Sequence, residues 1–417
     1  MNFIEELKWR NLFKDVVDEN QLEERMNEPM TVYCGFDTTA DSLHIGHLQQ
    51  ILLLKRWQQQ GHHPIALVGG GTGMIGDPRP TTERQLQSLE QVQANAKCIQ
   101  KQIELVLETD TNNNVKVVNN YEWLSKMTLL EFLRDYGKYF NINTMIAKDT
   151  IASRLDTGIS FTEFTYTILQ AIDWLMLFEK YNCEVQIGGS DQWGNLLSGV
   201  DLIRKVKAKS VFGVTSPLIT KSDGSKFGKS EGKNVWLDPE KTDSYTFYQF
   251  WINVADEDVI DFLKRLSMKP VDQIKEIEKI HFEAPEKRYA QKELAKELTL
   301  LVFKEEGLNS AIRISNALFN GDVLSLNAQQ LRQVFQDAKS VILSEDKNLI
   351  DTLVENQIIT SKREVRQLIQ QGSLQLNGIV VKDFETMITK ENAIEEKISI
   401  IKKGKKNYYI IEHQSKK

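Results

Sequence analysis

Short apolar runs separated by longer amphipathic stretches dominate the first half of the chain. The runs TVYCGF (31–36), PIALVGG (64–70), VKVV (115–118), EVQIGG (184–189) and a fifth near VFGVTSPLI (211–219) read as strands. Strands alternating with helical patterns predict a parallel sheet with crossover helices. Residues 45–60 carry Ile45, Leu48 and Leu52 at helical spacing, with Gly61 as the stop. Residues 82–108 read as a long polar–apolar helix, and 161–181 as one richer in aromatics. From about 242 to 320 the pattern is almost wholly helical, and the weakly patterned 324–346 reads as a connector. Residues 347–417 form a compact unit: helical patterns at 349–356 and 362–371, GSLQLNG as turn, strand and turn, and a basic end, KKGKKNYYII. The expected class is α/β, a Rossmann-like parallel sheet followed by a helical region and a small α+β unit.

At 417 residues the chain is long enough for two or three domains. MNFIEELKWRNLF carries acids where a secretory signal needs a basic and then an apolar stretch, and no run reaches the ~18 apolar residues of a membrane span. Cys34, Cys98 and Cys183 are odd in number and far apart, which suggests neither a disulfide framework nor a zinc cluster. A reducing cytoplasm is expected. The net charge of −6 hides an asymmetry, because residues 361–417 hold more Lys/Arg than Asp/Glu while the rest is acidic. A basic tail on an acidic body suggests a polyanionic partner there, or simply a solubilising surface.

In YCGFDTTADSLHIGHL (33–48) a strand leads through a turn into a helix start, where free amides and the helix dipole favour an anion. His44 and His47 lie one turn apart there. Their plain reading is a cap and a core residue. Their chemical reading is a pair of donors to phosphate oxygens that gain charge during displacement. Gly46, without a β-carbon, would let a flat base rest on the backbone. Far downstream, KSDGSKFGKS (221–230) sets Lys226 and Lys229 among glycines, the make-up of a basic loop that closes over a polyphosphate, or of a solvated turn. In FTEFTYTILQAIDWL, Tyr166, Gln170 and Asp173 make a polar stripe on a helix whose Phe164, Ile168, Leu169, Ile172 and Leu175 are core-like. Buried polar groups need partners, and a pocket for a polar amino acid supplies them. GGSDQWGN (188–195) and LVGGGTGMIGDP (67–78) put Asp191, Gln192 and Asp77 at the sheet's carboxyl edge, where open α/β sheets bind ligands.

HIGH near the front and a KMSKS-like KFGKS downstream resemble the class I aminoacyl-tRNA synthetases. YCGFD, MIGDP, FTEF-Y-LQ--D, IGGSDQWGN, YQFWIN, the EAPEKR–AQK helix and the terminal SKR…NG…KKGKKNYY extend the resemblance, in order and over essentially the whole chain, to the bacterial tyrosyl-tRNA synthetases. It implies a Rossmann-like catalytic domain (1–225) with a dimerisation insertion at about 121–159, then the mobile KFGKS loop and a helical domain (226–323). The connector (324–346) and a C-terminal RNA-binding domain of the ribosomal small-subunit protein type (347–417) follow. The implied activity is activation of L-tyrosine with ATP, Mg²⁺ accompanying ATP and no metal bound by the protein, then transfer to tRNA(Tyr), in a cytoplasmic homodimer away from membranes. By the same resemblance Tyr33 and Asp173 bind the phenolic hydroxyl, Asp77, Tyr166 and Gln170 the ammonium group, and Gln192 the carboxylate. Cys34, Gly35, Asp37, Gly46, Gly189, Asp191 and Lys229 would hold ATP. Thr39, His44, His47, Arg84, Lys226, Lys229 and Ser230 would serve the chemistry at the phosphates, His47 beside the ribose. Lys362, Arg363, Arg366, Lys402, Lys403, Lys405 and Lys406 are candidate RNA contacts.

Two departures stand out. GDPRPTTER reads one residue short and lacks the family's lysine, with only Arg79 to take its place, and Thr38 stands where proline is common, which predicts a less rigid turn before HIGH. Two other readings compete. A stand-alone adenylyltransferase would need neither KFGKS nor a basic tail, and a non-catalytic RNA-binding paralogue would have lost the pocket residues.

Overall fold

The computed structural model describes the chain apart from residues 79–85, 108, 110–111, 157, 223–226, 231–232, 321, 337, 405–406 and 415–417, and all remaining side chains except those of 149, 150, 229 and 230. Five strands, β1 (Thr31–Asp37), β2 (His63–Gly69), β3 (Lys116–Asn119), β4 (Cys183–Gly189) and β5 (Phe212–Ser216), form a sheet in the order β3-β2-β1-β4-β5, with every pairing parallel. β2, β4 and β5 are buried almost end to end, as strands with helices on both faces must be. The chain winds outward from β1 to β2 and β3, then returns to lay β4 on the other side of β1. The crevice at the carboxyl ends beside such a reversal is where ligands lie.

Helix Ile45–Gln59 buries Leu48, Ile51, Leu52 and Trp57, and helix Phe161–Tyr181 buries Ile168, Ile172, Trp174 and Leu175. Phe164 and Leu169, expected in the core, are only partly buried. On helix Trp193–Lys207, a β-carbon at Gly199 would stand 2.5 Å from the Trp174 indole, so only glycine permits that approach. The helix expected over 82–108 starts at Leu89 and ends at Val106. Ser88 stops it early, because its hydroxyl accepts the Gln91 N–H and caps the first turn.

Between β3 and helix Phe161–Tyr181 the chain makes short turns of helix, among them Tyr121–Leu124, Leu129–Glu131 and Ile142–Ile146. Leu129, Leu130, Leu133, Ile142 and Leu155 are exposed there, as is Phe161 at the start of the following helix. Among the described residues no helix is long and apolar enough to cross a membrane.

The chain divides into two compact units, Met1–Thr242 with Phe250–Val302, and Asp243–Gln249 with Phe303–Lys417. The first holds the parallel sheet. The second holds a sheet in the order Ile379–Val380, Leu374–Leu376, Ile398–Lys403, Asn407–His413 and Ser340–Leu343, antiparallel except for the last pair. Helices Leu349–Glu355 and Lys362–Gln370 add Leu353, Val365 and Ile369 to a core with Leu374, Ile401 and Ile411. The stretch 324–346, read as a connector, contains helix Ala328–Val334 and strand Ser340–Leu343. Only Val341 and Leu343 of that strand face inward, a signal too short to recognise, and its partner lies far along the chain.

Candidate active site

A cavity of about 320 Å³ opens at the carboxyl ends of β1, β2 and β4. Tyr33, Cys34, Gly35 and Asp37 reach it from β1, and Tyr166, Gln170 and Asp173 from helix Phe161–Tyr181. Asp77, Gly189, Asp191 and Gln192 line it from the segments after β2 and β4, and Gly46 and His47 from the start of helix Ile45–Gln59. The sheet thus gathers residues scattered over most of the first half of the chain.

Asp173 is the most deeply committed charge. It is buried, and its carboxyl accepts hydrogen bonds from Asn120 Nδ2 (2.9 Å) and Trp123 Nε1 (2.8 Å). Burial pushes this acid up to about 7, and the two donors oppose the rise. Asn120 is itself fixed, its Oδ1 accepting the Gly71 N–H at 2.7 Å and its Nδ2 donating to Thr72 Oγ1 at 2.9 Å. The Tyr33 hydroxyl is buried without a partner among the described residues, and burial first, then the nearby Asp173, raises its phenol well above the ordinary value. A buried hydroxyl with no partner beside a carboxylate asks for a polar group from a ligand.

The middle of the cavity is acidic. Tyr166 Oη donates to Asp37 Oδ1 (3.2 Å), and Asp77 accepts from Gln192 Nε2 (2.9 Å). Asn195 joins Gln192 through a 3.2 Å bond to Oε1 and reaches Asp77 at 3.5 Å. The Gln170 carbonyl oxygen is buried without a partner among the described residues. Asp37, grouped with the nucleotide residues by resemblance, therefore sits with the set that suits an ammonium ion.

Toward the helix start the chemistry is one of backbone and neutral rings. His44 Nδ1 accepts the Gly46 N–H (3.0 Å), and His47 Nδ1 accepts the His44 N–H (3.2 Å), a reciprocal cap on helix Ile45–Gln59. A ring nitrogen that accepts holds no proton, so each neutral imidazole carries its hydrogen on Nε2. Burial lowers both rings, His47 to about 3, and both are neutral near pH 7. A β-carbon on Gly46 would meet the His44 ring at 2.7 Å, so the glycine makes room for imidazole, where the sequence reading reserved it for a base. Gln50, one turn further on, also lines the cavity. Its Nε2 donates to Ser216 Oγ (2.9 Å) while its Oε1 is buried without a partner among the described residues.

Other expectations fare differently. Thr39 is exposed and outside the cavity lining, its carbonyl accepting from Gln87 Nε2 at 3.0 Å. Arg79, Arg84, Lys226, Lys405 and Lys406 lie outside the described residues, and for Lys229 and Ser230 the backbone alone is described, paired with Lys233–Asn234. Thr38 overturns the looser turn expected of it. It is fully buried, its hydroxyl donates to the Gly69 carbonyl (2.9 Å), and its own carbonyl accepts from Asn95 Nδ2 (2.9 Å). A side-chain bond does there what a proline ring would do by stiffness.

Residues 24–320 match the family described as tRNA synthetases class I (W and Y), and residues 330–411 match the tyrosine–tRNA ligase SYY-like C-terminal domain. The tyrosine–tRNA ligase of Staphylococcus epidermidis is 49% identical over 416 residues, covering 99% of each chain. The chain belongs to the tyrosine–tRNA ligases. That of Staphylococcus saprophyticus is again 49% identical, over 99% of each chain. Among solved structures, a C-terminally truncated mitochondrial tyrosyl-tRNA synthetase from Aspergillus nidulans is 31% identical with a TM-score of 0.67, covering 76% of this chain and 94% of that one. For a member of this class I family the parallel sheet and the α+β unit are the expected architecture.

Asn120, Trp123, Asn195 and Gln50 escaped the sequence reading of this tyrosine–tRNA ligase family member. For Asn120 and Trp123 the available signal was position, since NYEW (120–123) directly follows β3 at the same carboxyl edge. In the second unit, Arg363 and Arg366 are exposed and make no ion pair among the described residues, whereas Lys362 pairs with Asp351 (2.6 Å), Lys403 with Glu364 (3.2 Å), and Lys402 lies over the Tyr408 ring. Arg363 and Arg366 are thus the least committed of the described candidates for RNA.

Proposed function

We propose that the chain activates L-tyrosine with ATP, releasing pyrophosphate, and passes the tyrosyl group to the 3′ end of tRNA(Tyr). Family membership over the whole chain supports the reaction. The observation that carries the substrate is the unpartnered Tyr33 hydroxyl beside the Asp173 carboxyl, a pair matched to a phenol that both donates and accepts. Asp37, Asp77, Tyr166 and Gln170 would take the ammonium group and Gln192 the carboxylate. Cys34, Gly35, Gly46, Gly189 and Asp191 would cradle the nucleoside, with Mg²⁺ arriving on ATP and offsetting phosphate charge.

In the first step a tyrosine carboxylate oxygen attacks the α-phosphorus and pyrophosphate departs. In the second, a terminal ribose hydroxyl of tRNA attacks the activated carbonyl and AMP departs. No side chain has to serve as nucleophile. The Nε2–H groups of His44 and His47 and the positive end of helix Ile45–Gln59 would stabilise charge that develops at phosphorus, with Arg84, Lys226, Lys229 and Ser230 on the polyphosphate. The exposed Leu129, Leu130, Leu133, Ile142, Leu155 and Phe161 would meet a second copy in a homodimer. A cytoplasmic setting goes with these substrates.

The paralogue that binds RNA without catalysis is not favoured, since Tyr33, Asp77, Gln170 and Asp173 all line the cavity. The deciding experiment is ATP–pyrophosphate exchange with tyrosine, phenylalanine and tryptophan in turn. Exchange with tyrosine alone is expected, and none with any of the three would overturn the reading. For the RNA contacts, Arg363→Glu with Arg366→Glu should cut tRNA charging about tenfold or more while sparing exchange. Equal charging would move the RNA face elsewhere.

A further inference from the structure

HIGH and the segment after KFGKS are joined by more than proximity. Leu43–Ile45 runs antiparallel to Val235–Leu237: Ile45 N–H donates to the Val235 carbonyl (3.0 Å), and Leu237 N–H to the Leu43 carbonyl (2.8 Å). These two bonds flank His44 and Trp236, which makes them a directly opposed, non-hydrogen-bonded pair, the arrangement that brings facing side chains closest. Their rings meet edge to face at 6.1 Å. The same strip reaches back toward the loop, since Val235 N–H donates to the Gly228 carbonyl at 3.1 Å.

Trp236 is held in turn. Its N–H donates to Thr242 Oγ1 (2.9 Å), the Lys241 ammonium lies 5.4 Å from its ring, and Lys241 pairs with Asp41 at 2.7 Å. Asp41 belongs to the turn that precedes His44, so the chain Asp41–Lys241–Trp236–His44 closes on itself. The cap bond from Gly46 fixes which nitrogen of His44 carries the proton. It leaves open the tilt of the ring, which lies between the His47 ring, 4.1 Å away and tilted, and the Trp236 edge.

We propose that Trp236 is a positioning residue for the His44 imidazole, backed by Lys241 and Asp41, and that it registers the KFGKS segment against HIGH. The proposal rests on the reading of His44 as a group that stabilises charge at the phosphates. Trp236 touches no reacting atom, and its effect runs through His44.

The test is a double-mutant cycle on the full-length protein, read by tyrosine-dependent ATP–pyrophosphate exchange. Tyrosine binding, followed by equilibrium dialysis, verifies folding. Trp236→Ala should lower kcat about tenfold, with tyrosine affinity within about twofold. Trp236→Phe, which keeps an aromatic edge, should recover most of the rate, and Trp236→Leu should not. In a His44→Ala background, Trp236→Ala should add little. If the two losses multiply, or if Trp236→Leu works as well as Trp236→Phe, the proposal is overturned while the reading of His44 stands. A wild-type rate for His44→Ala alone would overturn that reading and the proposal with it. Lys241→Ala should give a smaller loss in the same direction as Trp236→Ala, and a larger one counts against the order of support described.

Discussion

The cavity around Asp173 and the helix start beside it, where Gly46 and His47 but not His44 join the lining, solve their problems with different materials. Around Asp173 the structure buries a carboxyl and surrounds it with side-chain donors. Around His44 it uses backbone amides, a helix end and rings kept neutral by burial. The first arrangement is rigid and selective, because a ligand that cannot pair with Asp173 and Tyr33 leaves them stranded. The second presents donors and no fixed charge, and under the proposed function its value would grow as charge appears during reaction. Recognition and rate are therefore separable by mutation.

The sharpest way to break this contrast is His44→Ala. It should slow adenylate formation by about 100-fold and leave tyrosine affinity nearly unchanged. A loss of tyrosine affinity in stopped-flow or dialysis would merge the two ends. Next in size is Asn120→Ala, which removes a donor from Asp173. Tyrosine KM should rise about tenfold, or ~1.4 kcal/mol, with a smaller change in kcat.

A pH series sharpens the comparison further. Burial pushes Asp173 up to about 7 and lowers His47 to about 3, so the carboxyl changes charge near neutral pH while the His47 ring stays neutral there. Ionisation strengthens the bond from a phenol and penalises phenylalanine, so discrimination between them should rise several-fold as pH passes upward through 7. In Asn120→Ala, where a donor that favours the ionised form is gone, the midpoint should move up. Stability follows the opposite sign. Burial holds the folded carboxyl above the ordinary aspartate range, at about 7, so the folded chain keeps the extra proton between about 4 and 7. The urea midpoint of the wild type should therefore fall relative to Asp173→Asn as pH rises through that window, then level off. Smallest of all, Thr38→Val strands the Gly69 carbonyl and should cost about 1 kcal/mol, measured by the same unfolding assay.

Much of this was legible in the sequence, for identifiable reasons. Strands β2, β4 and β5 are apolar runs covered on both faces, and their pattern needs no knowledge of distant partners. The cavity residues Tyr33, Asp77, Tyr166, Gln170 and Asp173 sit in recognisable motifs. Asn120 and Trp123 were not legible, because they act on Asp173 rather than on a ligand and because VNNYEW reads locally as a turn. Strand Ser340–Leu343 was hidden by its non-local partner. Thr38 was misjudged because local rigidity was weighed without the buried hydroxyl bond that tertiary structure supplies.

That late partner has a genetic corollary. Asn407–His413 lies between Ile398–Lys403 and Ser340–Leu343 in the second unit's sheet, so the sheet cannot close until residues 407–413 have been made. A stop codon just before Asn407 would remove an inner strand. Its phenotype should be that of losing the whole unit, and a frameshift there would be as severe as one near Ser340.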